Sequence, residues 1–337
     1  MEILIIQTAF IGDVTLSVFF ANELKQNFPD RKISFVSTEI GCEILRCFKF
    51  IDNAIVYSKR NEDRGFKGMN RLAEQLNNIK YDYVFALHRS FRTAILVAKL
   101  KAKQKIGFDK NSLSFLLNKK IKYDRFMHEV ERNRQCLSVF PTINKNFNYA
   151  KYVEKNISDF NFITDVADER FQKPILIAPG SVWETKKWDK NYFVELVNML
   201  EKDGKFVCLI GGKNDVDVCN YIAERSEAYN LAGQTRIPQI LELVRNSELV
   251  ITNDSAPTHF ASLFNIPTIT IYGPTSSKFG FYPLAERSVF IENEGLFCHP
   301  CSIHGGKKCP RRTIKCMKNI TPQMVYDKWK KQIALKY

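Results

Sequence analysis

The chain has 337 residues, 45% hydrophobic and 26% charged, the make-up of a globular protein long enough for two ordinary domains. No apolar run reaches the roughly 20 residues needed to cross a bilayer, which excludes a membrane-spanning helical class. The formal net charge of +14 asks for a polyanionic partner, and nucleic acid, an anionic membrane surface and a phosphorylated substrate all qualify.

Residues 2–7, EILIIQ, read as a first strand. They lack a basic leader, so they are not read as a signal peptide, and the protein is expected in the cytoplasm. Thr8 to Asp13 follow as a loop, and Leu16, Phe19, Phe20 and Leu24 then keep helical spacing. Further strands are expected at 33–37, 54–57, 83–87 and 105–107, with helices after Glu39, at 68–79 and at 91–101. This alternation predicts parallel strands joined by right-handed crossovers.

Residues 99–134 are strongly basic, and Leu113, Phe115, Leu116 and Leu117 sit inside the run. They read either as a solvated surface over a few core residues or as a basic, partly apolar rim for an anionic lipid surface. The stretch from Pro141 to Lys173 is polar and weakly patterned, and the domain boundary is placed there.

A second alternation then begins. Strands are expected at 173–178 and 205–210, with helices at 191–203, from Asp215 and at 237–245, and a short strand and turn at 230–233. Leu249 to Ile251 form another strand, which ends in Thr252-Asn253-Asp254-Ser255. A helix starts at Pro257, a strand runs from Pro267 to Tyr272, and a last helix spans about 321–335.

Ligands of open α/β sheets bind beyond the C-terminal ends of the strands. That rule selects loops rather than single residues. Gly12 and Asp13 open the first helix, where an ionised carboxylate is either a helix-end charge or a base for a sugar hydroxyl. Gly180 and Ser181 let backbone approach a phosphate, and Lys186 and Lys187 supply the cations a diphosphate leaving group needs. Asp215 and Asp217 follow Gly211-Gly212, as ribose acceptors or as helix caps. Asn253, Asp254 and Ser255 are good N-cap types before a helix whose N-terminus can seat an anion. Neither GxGxxG nor GxxxxGK[ST] is present, which argues against a dehydrogenase and a P-loop NTPase. The tryptophans are too scattered for a nucleic-acid stacking platform, so nucleic acid is not the expected partner.

Nine cysteines are present, and five of them, Cys42, Cys47, Cys136, Cys208 and Cys219, lie in apolar contexts as reduced, buried thiols. The others, Cys298, Cys301, Cys309 and Cys316, have the form C-x2-C-x7-C-x6-C. Their first spacing fits zinc, while the later ones are loose for a compact zinc knuckle, and a reduced structural clasp is the other reading.

Taken together, these residues resemble the ADP-heptose:lipopolysaccharide heptosyltransferase family. Residues 230–275, NLAGQTRIPQILELVRNSELVITNDSAPTHFASLFNIPTITIYGPT, are similar to its C-terminal signature. The Ile11-Gly12-Asp13 loop, the segment from Leu87 to Arg92, Ile106-Gly107-Phe108, the segment from His128 to Asn133, Pro179-Gly180-Ser181 with Lys186-Lys187-Trp188, and the cysteine-rich tail resemble family segments too. The likeness covers nearly the whole chain.

The resemblance implies an α/β GT-B fold, two Rossmann-like domains with parallel sheets facing a central cleft. Residues 1–160 would bind the acceptor and 161–320 the nucleotide sugar, and the helix at 321–337 would pack back on the first domain. It implies an inverting transfer of heptose from ADP-heptose to the lipid A-linked inner core of lipopolysaccharide, at the inner face of the cytoplasmic membrane and with no cofactor required. Asp13 would be the general base, with Gly12 on the acceptor side. Ser181, Lys186, Asp215, Asp254, Ser255, Ala256, Pro257 and His259 would hold the donor. Ala256 departs from the family's usual glycine, and Asp189 replaces a common proline. The alternatives are a GT-B enzyme using another nucleotide sugar, including an epimerase, and a non-catalytic nucleotide-sugar or nucleic-acid binding module.

Overall fold

The structure, a computed structural model, describes residues 1–58, 63, 65–141, 143, 171 and 173–333. The chain divides into two compact units, Met1–Ser158 and Asp159–Tyr337. The boundary expected between residues 160 and 161 lies outside the described residues, as does most of the polar stretch around it.

The first unit is built on strands β1 (Glu2–Ile6), β2 (Lys32–Ser37), β3 (Asn53–Val56), β4 (Tyr81–Ala86), β5 (Ala102–Phe108) and β6 (Lys119–Ile121). Among the described residues they form one sheet in the order β3-β2-β1-β4-β5-β6, and every pairing is parallel. Crossovers carry helices α1 (Ile11–Asn27), α2 (Glu39–Leu45), α3 (Gly65–Leu76) and α4 (Phe91–Lys99), and α5 (Glu129–Arg134) follows the sheet. Ile3 to Ile6 of β1 are fully buried, as a strand covered on both faces requires.

Helix α1 is buried on nearly every side, from Val14 to Leu24. Its buried hydroxyls turn back on the helix, Thr15 donating to the Ile11 carbonyl (2.8 Å) and Ser17 to that of Val14 (2.6 Å). Glu23 takes both oxygens to Arg134 of α5, at 2.9 and 3.0 Å. That pair fastens α5 along α1.

The second unit repeats the plan. Its strands are β7 (Ile175–Ala178), β8 (Val207–Leu209), β9 (Tyr229–Asn230), β10 (Leu249–Asn253), β11 (Thr268–Tyr272) and β12 (Val289–Glu292). The sheet order is β12-β11-β10-β7-β8-β9, again parallel throughout. The helices are α6 (Lys190–Lys202), α7 (Val216–Ala223), α8 (Ile237–Arg245), α9 (Ala256–Leu263), α10 (Lys315–Lys318) and α11 (Pro322–Gln332). The two orders are one topology read from opposite edges, the dinucleotide-fold order. In each unit the winding reverses between its first and fourth strands, β1 and β4 or β7 and β10, and such a reversal opens a ligand crevice at the strand C-termini.

Both α/β units were expected, and the outer strands β6 and β12 were not. The last helix has its described residues in the core of the second unit. Val325, Trp329 and Ile333 join Leu196, Leu200, Ile269 and Ile291 in one apolar cluster. Tyr326 and Lys330 bind the Asp203 carboxylate at the end of α6 (2.5 and 3.2 Å). The apolar positions 325, 329 and 333 are four apart, one helical stripe, and the uncovered face of this sheet offers the nearest apolar partner. Among the described residues no helix is long and apolar enough to cross a membrane.

Trp329 is only 2% exposed. Trp329→Ala is expected to destabilise the second unit by roughly 3–5 kcal/mol, as removal of a large core aromatic does. Urea unfolding monitored by circular dichroism checks this, and a loss below about 1 kcal/mol would show that the helix is not a core element.

Candidate active site

At the switch point of the second unit, Ala178 of β7 stands beside Thr252 of β10 in parallel register. The two strands therefore release their loops side by side. Asn253, fully buried, ties them together. Its amide nitrogen donates to the Pro179 carbonyl (2.8 Å), and its amide oxygen accepts the Trp188 backbone N–H (3.1 Å). The Trp188 indole donates to the Ile320 carbonyl (2.8 Å). The short turn Glu184–Lys186 thus hangs between anchored points.

This anchoring aims the two lysines differently. Lys187 turns outward to Glu184. Lys186 turns inward, its Nζ 2.6 Å from Asp254 Oδ2 and 3.3 Å from the Asp254 carbonyl. Both side chains of the pair are largely buried, at 12% and 10% exposure. Desolvating two such charges costs several kcal/mol per ion, which their attraction only roughly offsets. Fold stability alone is a poor reason for this pair. A ligand carrying both anionic oxygens and hydroxyls is a better one.

Asp254 Oδ2 also accepts the Thr275 hydroxyl, at 2.7 Å. His259, on the first turns of α9, is 4% exposed. Burial pushes its pKa down to about 4, against the pull of Asp254 and with a further push from Lys186, so the ring is neutral at pH 7. Among the described residues its Nδ1 has no hydrogen-bond partner.

The N-cap roles open to Asn253, Asp254 and Ser255 are not taken up by their side chains. Ser255 is the N-cap of α9 in extended backbone, but no side chain caps the helix, and its hydroxyl pairs with that of Thr252 (3.0 Å). Pro257 gives up an N–H in the first turn. Ala256 starts the helix and is not among the residues with left-handed backbone, so alanine in place of glycine introduces no strain here. Ser181 Oγ accepts the Trp183 N–H (3.3 Å). Asp215 lies against the same loop. A Cβ on Gly180 would come within 2.1 Å of its carboxylate, so only glycine permits this approach. The other Asp215 oxygen accepts the Gly212 N–H, at 2.9 Å. The donor-side residues expected from sequence therefore gather at one switch point.

Gly12 and Asp13 belong to the other unit, in the first turn of α1. Burial raises the Asp13 carboxyl to about 6, opposed by a backbone hydrogen bond and by the Arg132 and Arg89 guanidiniums. Glu129, which carried no role in the sequence reading, is pushed up to about 7, first by burial and then by the Asp13 charge. Arg132 pairs with Glu129 and is itself buried. Its remaining donors go to the backbone carbonyls of Asp124 (2.7 Å), Arg125 (3.2 Å) and Met127 (2.5 Å). Arg89 and Arg132 both face the Tyr123 ring, at 3.9 and 4.6 Å. Asp13 is thus one of two coupled carboxyls under two arginines. The i,i+3 spacing of Glu129 and Arg132 was a readable signal for this pair.

The four clustered cysteines are free thiols. Burial raises Cys301 and Cys316, and neighbouring thiols of the cluster add to it. In Cys309, burial is outweighed by backbone N–H groups, Ile314 first, and the thiol is lowered. Among the described residues no group of three or more His, Cys, Asp or Glu side chains could hold a metal ion.

Asn253→Ala would leave the Pro179 carbonyl and the Trp188 N–H unpaired in the interior. Each buried orphan costs about 1–3 kcal/mol, so the variant is expected to lose at least ~2 kcal/mol in urea unfolding. Wild-type stability would show that the amide is not the tie between the two loops.

A model of glycosyltransferase family 9 (heptosyltransferase) matches residues 69–308. Lipooligosaccharide heptosyltransferase 2 of Campylobacter jejuni is 25% identical over 350 residues, covering 98% of this chain and 99% of its own. Lipopolysaccharide heptosyltransferase 3 of Escherichia coli is 29% identical over 290 residues, covering 80% of this chain and 81% of its own. Among solved structures, a family 9 glycosyltransferase from Veillonella parvula superposes with a TM-score of 0.84 at 20% identity, covering 99% of this chain and 98% of its own. An E. coli heptosyltransferase solved with ADP gives a TM-score of 0.78 at 18% identity, covering 98% of this chain and all of its own. The fold is that of the GT-B heptosyltransferases, and the chain belongs to glycosyltransferase family 9, the heptosyltransferase family.

Proposed function

We propose that this protein transfers heptose from ADP-heptose, with inversion, to the lipid A-linked inner core of lipopolysaccharide. The observation that carries the reading is the buried Lys186–Asp254 pair at the switch point of the second unit. The related lipooligosaccharide and lipopolysaccharide heptosyltransferases, and the structures solved with ADP and with a fluorinated ADP-heptose, supply the donor class.

In this reading Asp13 takes the proton from an acceptor hydroxyl. The freed oxygen attacks the anomeric carbon, and the bond from that carbon to the diphosphate oxygen breaks. ADP leaves with the electron pair. Lys186 and the N-terminus of α9 offset its growing negative charge. Asp254 receives hydroxyls of the sugar, and neutral His259 offers its unpartnered Nδ1 to the donor. Ser181, Ser255, Ala256 and Pro257 wrap the diphosphate, and Asp215 receives the ribose hydroxyls.

The acceptor is a phosphorylated saccharide on a lipid, and the rim of the first sheet suits it. Loops leaving β4, β5 and β6 share one edge because the strands are parallel. They expose Phe91, Phe115 (70%), Leu116 and Phe126 (60%) beside Arg89, Arg92, Lys122 and Arg125. Exposed rings among cations suit an anionic lipid surface at the inner face of the cytoplasmic membrane.

Two measurements test this function. Because burial raises the Asp13 pKa, its base form is lost as pH falls through about 6–7, well above the ordinary carboxylate range near 4. The kcat/KM for transfer should show an acidic limb in that window. Asp13→Asn should reduce transfer by at least ~10²-fold while ADP binding, read by calorimetry, stays near wild type. A wild-type rate in that variant removes Asp13 as the base. For the membrane, co-sedimentation with phosphatidylglycerol vesicles should be strong at low salt, fall at about 1 M salt, and weaken in a Phe115→Ser, Phe126→Ser variant. Equal binding to neutral vesicles would rule out the electrostatic part.

A further inference from the structure

The cysteine-rich segment has no part in the chemistry above, yet it touches the threonines that adjoin both halves of the donor ion pair, Thr275 and Thr185. It follows β12 and reaches back over the loops of the switch point. The backbone N–H groups of Cys301 and Ser302 both donate to the Pro274 carbonyl, at 2.9 and 3.1 Å. His299 is buried, and its Nε2 lies 2.8 Å from the Thr275 carbonyl. Thr275 is the residue whose hydroxyl holds Asp254 Oδ2. Glu292 braces the same turn from behind, accepting the Ser277 hydroxyl (2.8 Å) and N–H (3.2 Å) and lying 3.8 Å from His299 Nε2.

A few residues on, the same segment grips the other loop. Gly306 N–H donates to the Thr185 hydroxyl (2.8 Å), and its carbonyl accepts the Thr185 N–H (3.0 Å). Thr185 directly precedes Lys186. The neighbouring Gly305 has φ +92°, and a Cβ there would come within 2.9 Å of Trp183 and 3.1 Å of Lys186. The close approach and the left-handed backbone both require glycine.

We propose that residues 299–306 form a clamp that positions the two donor-binding charges. His299 acts through Thr275 on the Asp254 carboxylate, and Gly306 acts through Thr185 on Lys186. The clamp rests on the donor role given above to Lys186 and Asp254. Its logic is a division of one oxygen. Asp254 Oδ2 faces Lys186 at 2.6 Å and Thr275 at 2.7 Å. Without the hydroxyl, the carboxylate is free to turn wholly onto the ammonium and neutralise it. The diphosphate then meets a spent cation. With the hydroxyl in place, the carboxylate is shared, and Lys186 keeps charge for the leaving group. Thr275, His299 and Thr185 are positioning residues, because they act through the charged pair.

The test is steady-state kinetics with ADP-heptose and the purified acceptor, together with calorimetric ADP binding. Thr275→Val should raise the donor KM about tenfold, the weight of one hydrogen bond to a charged group, and leave the acceptor KM within about twofold. Thr275→Ser restores the hydroxyl and should restore the donor KM. His299→Leu should raise the donor KM in the same direction, and His299→Gln, whose amide can still donate to the Thr275 carbonyl, should not. The Thr275→Val, His299→Leu double variant should be no worse than Thr275→Val alone, because both act on one chain of contacts. If Thr275→Val does not fold, the comparison of His299→Leu with His299→Gln decides the matter. Wild-type donor KM values in Thr275→Val and His299→Leu, with a raised one in Lys186→Ala, overturn the clamp. A silent Lys186→Ala overturns the donor assignment instead.

Discussion

A neutral amide, the side chain of Asn253, is the constraint on which the switch point of the second unit depends. It sits where two parallel strands end side by side, and it ties the end of β10 to two points, Pro179 and Trp188, of the loop that leaves β7. An amide suits this place because it offers one donor and one acceptor without a charge to desolvate. With Trp188 and Pro179 tied to one point, the turn between them has few ways to lie, and Lys186 is turned inward. The pair with Asp254 is then a product of the scaffold more than its cause.

The two units use the same topology for opposite electrostatic ends. In the second, the switch point gathers a cation, a carboxylate and the N-terminus of α9, a set suited to a ligand with both anionic and hydroxyl groups. In the first, it presents a carboxyl that burial keeps partly protonated near neutral pH. The guanidiniums of Arg89 and Arg132 keep that carboxyl from rising further. Burial supplies the shift and the arginines limit it.

Much of this was legible in the sequence, and the rest was hidden for physical reasons. Strand and helix periodicity located both sheets, because buried parallel strands are continuous apolar runs. Strands β6 and β12 escaped, since KKI is too short and basic to read as a strand, and VFIE stands apart from the alternation. Lys186, Asp254 and Asp215 could be singled out because they lie at predicted strand ends, and the structure brings Lys186 and Asp254 together. The contacts of Thr275 with Asp254 and of His299 with Thr275 span more than 20 residues each, and no local pattern announces them. Glu129 was visible as part of a motif but had no role until its proximity to Asp13 made the two carboxyls interact. The apolar stripe of the last helix states that it packs, not on what, and the structure seats it in the core of the second unit.

That helix also bears on the order in which the protein is made. The described core of the first unit is complete within its first 140 residues, so this unit can fold while the rest of the chain is still being synthesised. The second unit cannot, since Val325, Trp329 and Ile333 belong to its core. Until residues 325–333 leave the ribosome, the core around the sheet that carries Lys186 and Asp254 lacks these three side chains.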